Sequence, residues 1–561
     1  MHGSDAAPYT AARALVDQLV LHGVQHVFCV PGESYLPVLD ALYDRPEITV
    51  TVCRHEGGAA MMAEAVGRAT GRPGVCFVTR GPGVTNASLG VYLAQQDCTP
   101  MILFCGQVER RFEHREAWQE IDLPAVFGSM TKWTAQIEQG ARMAEYVSRA
   151  FHTAAAGRPG PVVLGLPRDM LSEPATPVAL QPFAPLETAP AAEDLARLQE
   201  MIEQAERPLL IVGGTRWDEA SWAAMHRFAE RFELPAITSY RRGSLFDPLH
   251  RCYAGDLGLG PNPKLIARVK AADLLILAGG RFGEVASQGY GLLDIPAPQT
   301  RLVHIHPGAE EIGRLYQPHL AIHASPARFA PAVAALEPRT PRDPAQAKAA
   351  HDDYLAWTSV ATPQPGGVNL GEVMVWLREH LPVDTILCNG AGAYAAWIHR
   401  FYRFRRLGAH MAPAVASMGY GVPAAVAMKR LYPERTVLCV TGDGDFLMNG
   451  QEFAVAVQYG LPFVTIVADN ASYGSIRMQQ EMHFPGRVSA TDLVNPDFAV
   501  YARAFGGYGA VVERTEDFAD AFRAAEASGL PAILHLKIDT DAMTPGSSLS
   551  QLRERAEASK R

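Results

Sequence analysis

Apolar residues along this chain come in two rhythms. Short unbroken runs such as GVCFVT (74–79), LLIVGG (209–214) and TVLCVT (436–441) alternate with longer stretches at helical spacing. NASLGVYLAQ (86–95), SWAAMHRFAERF (221–232) and GQEFAVAVQYG (450–460) are examples of the second kind. Uninterrupted apolar runs suit strands buried on both faces, as in parallel sheets. Their alternation with helices predicts an α/β fold with helices covering both sides. The N-terminal pattern of Ala11, Leu15 and Leu19, with Asp17 inside it, predicts an amphipathic helix and not a secretory signal. Two stretches break the rhythm: the Pro- and Ala-rich residues 172–194, and residues 336–367, bounded by EPRTPRDPAQ and TPQPGG. They divide the chain into blocks 1–175, 190–335 and 366–545, read as three doubly wound parallel-sheet domains.

Composition narrows the class without changing it. A length of 561 residues accommodates three domains of the usual size, roughly 100–200 residues each. The net charge of −9 argues against nucleic acid or an anionic membrane as partner. Eight cysteines are scattered with no CxxC pair, several inside apolar runs, as expected of reduced thiols in a cytoplasm. No stretch reaches the roughly eighteen apolar residues a membrane helix needs.

Chemistry enters at two strand tips. TVLCV runs into Gly442-Asp443-Gly444, the helical GQEFAVAVQYG closes on Gly460 with Pro462 beyond, and PFVTIVA ends at Asp469-Asn470. A right-handed βαβ unit puts Asp443 and Asn470 on the same carboxyl edge, where open α/β sheets bind ligands. Adjacent strands lie about 4.8 Å apart, so both side chains reach one ion. A carboxylate and amide or carbonyl oxygens suit Mg²⁺, which completes its octahedron with phosphate oxygens. Gly442 and Gly444 let a diphosphate approach the backbone. The plainer alternative is that Asp443 caps the following helix.

GDG, 24 intervening residues, then DN resembles the diphosphate motif of thiamine diphosphate enzymes. That resemblance implies thiamine diphosphate and Mg²⁺ as cofactors. It also implies Asp443, Asn470 and the Ser472 carbonyl as metal ligands, with Gly442, Gly444, Tyr473 and Gly474 around the diphosphate. Such an enzyme needs a carboxyl group that drives tautomerisation of the cofactor's pyrimidine. Glu56 follows an apolar strand and precedes Gly57, Gly58, Ala59 and Ala60, whose small side chains leave room for a flat ring. Alone it reads as a helix N-terminal charge; with the GDG motif in the third block it matches the family's catalytic glutamate.

The wording of the first block (VFCVPGESYLPVLDAL, RHEGGAAMMAEAVGRATG, RGPGVTNASLGV, GQVERR, REAWQEIDLP) resembles acetolactate synthase and its relatives over nearly the whole chain. By that resemblance the blocks are a pyrimidine-binding domain, a Rossmann-like domain and a diphosphate-binding domain. Met418, in ASMGYGVPAA, takes the part of the methionine that buttresses the bent cofactor. Gln119, catalytic and substrate-facing in this reading, matches the glutamine of an FQE-like triplet, beside Trp118 where phenylalanine is usual. Gln107 and Arg168 fall at funnel-lining positions, and Ser475 and Gln479 replace the methionine and tryptophan that help select an acceptor. The family's site draws on two subunits, which implies a homodimer at minimum and a homotetramer in the fuller reading. His55, His114 and His399 read as structural or solvent-facing.

Gly390-x-Gly392-x-x-Ala395 after a strand imitates a dinucleotide fingerprint, but no acidic residue follows between Asp384 and Glu434. The loop, with Asn389, Gly390 and Gly392, is read as holding thiamine diphosphate, although Ala393 and Tyr394 stand where glutamine and histidine often touch the diphosphate. The middle block resembles the flavin domain of acetolactate synthases, with Arg281 at the flavin-proximal arginine and HIHPGAEEI in place of acidic wording. FAD is left open, since relatives exist with and without it. The expected activity is decarboxylating carboligation of a 2-oxo acid, pyruvate, to a carbonyl acceptor. Alternatives are a benzaldehyde lyase-like lyase or decarboxylase and a noncatalytic assembly subunit.

Overall fold

A computed structural model describes residues 8–560. Three sheets organise the chain, each of six strands and each parallel throughout. Counted along the chain, the first has the order 2-1-3-4-6-5, the second 12-11-10-7-8-9 and the third 14-13-15-16-18-17. All three are doubly wound, as the alternation of apolar runs and helices predicts. Their central strands, such as Met101–Gln107, Leu274–Ala278 and Val464–Asp469, are buried at every position. Helices on both faces leave no side to water, so no polar alternation survives.

The chain forms two compact units, one through residue 186 with residues 426–431 added, the other comprising 187–425 and 432–561. The first unit carries the first sheet and the amphipathic helix Ala11–Leu21, which buries Ala11, Leu15 and Leu19. Residues 175–191 carry neither helix nor strand, as their composition predicts. The second unit carries the other two sheets. The stretch 336–367, read as a connection, holds the helix Ala345–Thr358. Ala347, Ala350 and Tyr354 form its buried stripe, with the Tyr354 ring edge-on to Tyr253 at 4.8 Å. Prolines at both ends of the stretch obscured that short apolar period.

All eight cysteines are buried and outside any disulfide. Among the described residues no helix is long and apolar enough to cross a membrane.

Candidate active site

The third sheet sets the geometry of the strand tips. Strands Val437–Gly442 and Val464–Asp469 are neighbours, with Gly442 opposite Ala468. Asp443, the first residue of the helix Asp443–Asn449, therefore lies beside Asp469-Asn470 at the carboxyl edge. The Asp443 side chain is buried, and its Oδ2 accepts a 2.7 Å hydrogen bond from Asn495 Nδ2. The same amide nitrogen donates to Asp469 Oδ1 at 2.8 Å. Asp469 Oδ2 pairs with His535 Nε2 at 2.7 Å and Lys537 Nζ at 2.9 Å. The two carboxylates are thus distinguished by their surroundings. Burial, reinforced by the neighbouring Asp469 charge, pushes the Asp443 carboxyl up to about 6. Burial also pushes Asp469 up, but the bonds from His535, Lys537, the Ala471 amide and Asn495 overcome it and hold Asp469 below the ordinary range.

A pocket of about 810 Å³, surface water included, opens over this edge and is lined by Gly392, Tyr394, Met418, Asp443, Asn470 and Ser472, among others. Buried Ser472 Oγ has no hydrogen-bond partner there, a cost that a bound polar ligand would remove. A Cβ on Gly444 would lie 2.7 Å from the Tyr473 ring, and one on Gly442 3.1 Å from the Tyr394 ring. Only glycine leaves the backbone of this loop bare to an approaching phosphate. The donor set of one carboxylate, one amide and nearby carbonyl oxygens fits a small hard cation with a diphosphate. Gly442, Gly444, Tyr473, Gly474 and Ser475 line the same pocket. Asn389 and Gly390 stand behind it: Asn389 is fully buried with its Oδ1 3.2 Å from His410 Nε2, and Gly390 packs on Asp445. Gln479 is exposed on the helix Gly474–His483, outside the lining.

In the first unit Glu56 opens the helix Glu56–Thr70, with His55 as N-cap accepting from the Gly57 amide at 3.0 Å. Glu56 Oε2 accepts a 2.9 Å bond from Asn86 Nδ2, and a Cβ on Gly83 would sit 3.4 Å from Oε1. The small residues after Glu56 are buried because the next helix packs close, Gly90 facing Ala60. Gln107 ends its strand opposite Pro167, with Nε2 on the Ile121 carbonyl at 2.7 Å and a buried, unpartnered Oε1. Gln119 has a left-handed backbone (φ 65°), and its carbonyl accepts from the Gly81 amide at 2.9 Å. Trp118 is 68% exposed under the Arg80 guanidinium, and Arg168 is exposed just past its strand. Glu56, Gln107, Gln119 and Arg168 thus share the carboxyl edge of one sheet. His114 is exposed, while His399 pairs with Asp256 at 3.1 Å; with the capping His55, none faces the pocket of the third sheet.

Sequence reasoning passed over Asn86, Asn495, His535 and Asp445. Asn86 was within reach, two residues past the GPGV run that faces Glu56. Asn495 and His535 carry no local signal, because their partners are distant in the chain, and Asp445 joins nearby Thr441 to distant Tyr394 and Gly419.

The middle sheet gives a different picture. Its order reverses between strands Pro208–Val212 and Leu274–Ala278, the crevice where such folds take a dinucleotide. There a Cβ on Gly214 would lie 1.7 Å from the Gly279 carbonyl oxygen, so the two loops press on each other. Trp217 Nε1 donates to Gly213 O at 2.8 Å, Arg242 Nε to Gly214 O at 2.9 Å and His304 Nε2 to Gly280 O at 2.9 Å. Burial pushes His304 and His306 down, to about 4 for His306, so both are neutral. These residues satisfy one another across the crevice.

Comparison with known proteins agrees with the chemistry of the strand tips. Residues 9–126, 195–333 and 390–536 match the N-terminal TPP-binding, central and C-terminal TPP-binding domains of thiamine pyrophosphate enzymes. The chain is 33% identical to the acetolactate synthase large subunit of Parasynechococcus marenigrum, over 96% of this chain and 89% of that protein. It is 31% identical to the acetolactate synthase isozyme 2 large subunit of Escherichia coli, over 97% and 99%. The Corynebacterium glutamicum large subunit is 29% identical over 98% and 91%. With three domain matches in order and full-length relatives of one kind, the chain belongs to the thiamine pyrophosphate enzymes, in the acetolactate synthase large-subunit family, and is an enzyme of that carboligase type.

Proposed function

We propose that this enzyme uses thiamine diphosphate and Mg²⁺ to decarboxylate a 2-oxo acid, pyruvate, and join the remaining two-carbon unit to a carbonyl acceptor. The observation that carries this reading is the pair of adjacent strand tips, Asp443 and Asn470, beside a buried and unpartnered Ser472 Oγ and bare glycines. Asp443, Asn470 and the Ser472 carbonyl would hold the metal; Gly392, Gly442, Gly444, Tyr473 and Gly474 would receive the diphosphate. Thiamine diphosphate, when bound, supplies the electron sink for carbon–carbon cleavage. The chain's part is positioning and proton control. Met418 would pack against the bound cofactor, and Glu56, held by Asn86, would supply the carboxyl group that carries its proton. Arg168 offers an exposed guanidinium to a substrate carboxylate. Gln107, Trp118, Gln119, Ser475 and Gln479 are read as substrate-facing.

We assign Glu56 of one copy to the diphosphate pocket of another, so that a homodimer is the smallest active form and a homotetramer the full assembly. Domain limits near 175/190 and 335/366, a flavin-free middle domain and a reducing cytoplasm complete the reading; eight buried cysteines outside any disulfide support the last. The test is CO₂ release from pyruvate with Mg²⁺ and thiamine diphosphate, followed by an acceptor screen. No release from any 2-oxo acid, with no heat on titrating the cofactor, would refute the assignment. Mixing Glu56→Gln with Asp443→Ala subunits is expected to restore about a quarter of wild-type activity if sites are shared across a two-fold.

A further inference from the structure

Met418 sits in a strained loop that groups outside it help to hold. Within residues 413–419 both Ala416 (φ 57°) and Gly419 (φ 80°) are left-handed, a conformation that costs alanine free energy unless neighbours enforce it. Ala416 N to Pro413 O at 2.9 Å closes the turn, and Ser417 Oγ donates to the Met418 carbonyl at 3.0 Å. Further restraint comes from outside at both ends. Arg241 Nη1, from the loop after the middle-domain strand Ala236–Ser239, donates to the Pro413 carbonyl at 2.9 Å. Asp445 Oδ1 accepts from the Gly419 amide at 2.6 Å, while Asn449 Nδ2 donates to the Gly419 carbonyl at 3.0 Å.

Both outside groups are charged and out of contact with water, Arg241 at 1% exposure and Asp445 at 2%. The Arg241 guanidinium lies 5.2 Å from the Tyr240 ring centre. Asp445 Oδ2 accepts from Tyr394 Oη at 2.5 Å and from Thr441 Oγ1 at 2.8 Å. Tyr394 therefore turns its hydroxyl to Asp445, while its ring covers Gly392 and Gly442 at the pocket floor. A carboxylate two positions past Asp443 would repel a diphosphate if left uncompensated. The Arg241 charge acts on both Asp445 and Tyr394, in the sense that offsets burial.

We propose that Arg241 and Asp445 are an oppositely charged clamp on the two ends of the Met418 loop, through which the middle domain positions the cofactor pocket of the C-terminal domain. Both are positioning residues, acting through Met418 and Tyr394. The inference rests on the proposed use of thiamine diphosphate, and its test separates the two. Full-length wild type, Arg241→Met, Asp445→Asn and the double variant are titrated with thiamine diphosphate in Mg²⁺ by calorimetry, with near-UV circular dichroism of the bound cofactor as a second readout. Each single change releases one end of the loop and is expected to raise Kd about tenfold or more, with an altered cofactor dichroism. The double variant, in which the loop is already released by either change, is expected to bind within about threefold of the weaker single variant. Should Arg241→Met not fold, the Asp445→Asn titration alone decides. Asp445→Asn binding as tightly as wild type, or single effects that simply multiply in the double variant, would overturn the clamp. Absence of binding by wild type would instead remove the cofactor assignment itself.

Discussion

The middle and C-terminal sheets share six parallel strands, a reversal of strand order and glycine-rich loops at the carboxyl edge, yet they treat that edge in opposite ways. In the middle domain the loop carbonyls of Gly213, Gly214 and Gly280 are each capped by a side chain of the protein, and Gly214 rests on Gly279. At the C-terminal edge Ser472 Oγ is buried without a partner and Asp443 is held with a raised affinity for protons. The crevice carbonyls of one edge are satisfied by the chain, and the other edge keeps a buried hydroxyl without a partner. Architecture offers a crevice in both cases; the hydrogen-bond account tells which of them waits for a ligand.

The comparison is broken most directly at Asp443. Asp443→Ala is expected to abolish Mg²⁺-dependent heat of cofactor binding and lower activity by roughly three orders of magnitude, the scale of losing metal charge stabilisation. Retained binding would mean that this edge is not a metal site. Glu56→Gln should lower kcat about a hundredfold or more, the usual contribution of a positioned proton carrier, while cofactor Kd moves less than about threefold. Steady-state rates and calorimetry on the same preparation separate those two numbers. Asn495→Leu keeps the first ligands but removes the bridge between Asp443 and Asp469. Metal affinity is expected to fall about ten- to a hundredfold, as for other groups that orient ligands, measured by Mg²⁺ titration of activity.

The smallest effect on activity belongs to the satisfied edge. His306, ordinarily titrating at 6.5, is pushed down to about 4 by burial, so the unfolded chain binds more protons than the folded one between those values. Stability therefore rises with pH through that window and is lost as pH falls from about 6.5 toward 4, by up to about 3 kcal/mol at the acid end. His306→Gln should flatten this slope in denaturant titrations at pH 6.5 and 4.5 and leave kcat at pH 7.5 within about twofold. An unchanged slope would show that this histidine is not held neutral.

Much of the site was legible because it is written locally. The spacing from GDG to DN is a βαβ unit, and the unit's handedness alone brings Asp443 and Asn470 to one edge. Glu56 was legible in the same way, as a charge between a strand and a run of small residues. Asn389 and Gly390 were drawn into the site by proximity to Gly392, but the Asn389 side chain bonds His410 and neither residue lines the pocket. The helix Ala345–Thr358 went unread because three buried residues among charged and alanine neighbours give a weak period between proline-rich ends.

By itself the sequence determined the class of domain, the number of sheets and the cofactor motif, all of which follow from periodicity and short-range spacing along a covalent chain. Only the tertiary structure decided that Asn495 joins the two carboxylates, that Arg241 reaches the loop of Met418, and that side chains cap the carbonyls of the middle crevice. Those pairings link residues far apart in the chain, and nothing local distinguishes their side chains from others of the same type. Packing selects them when burial leaves a polar group with no alternative partner.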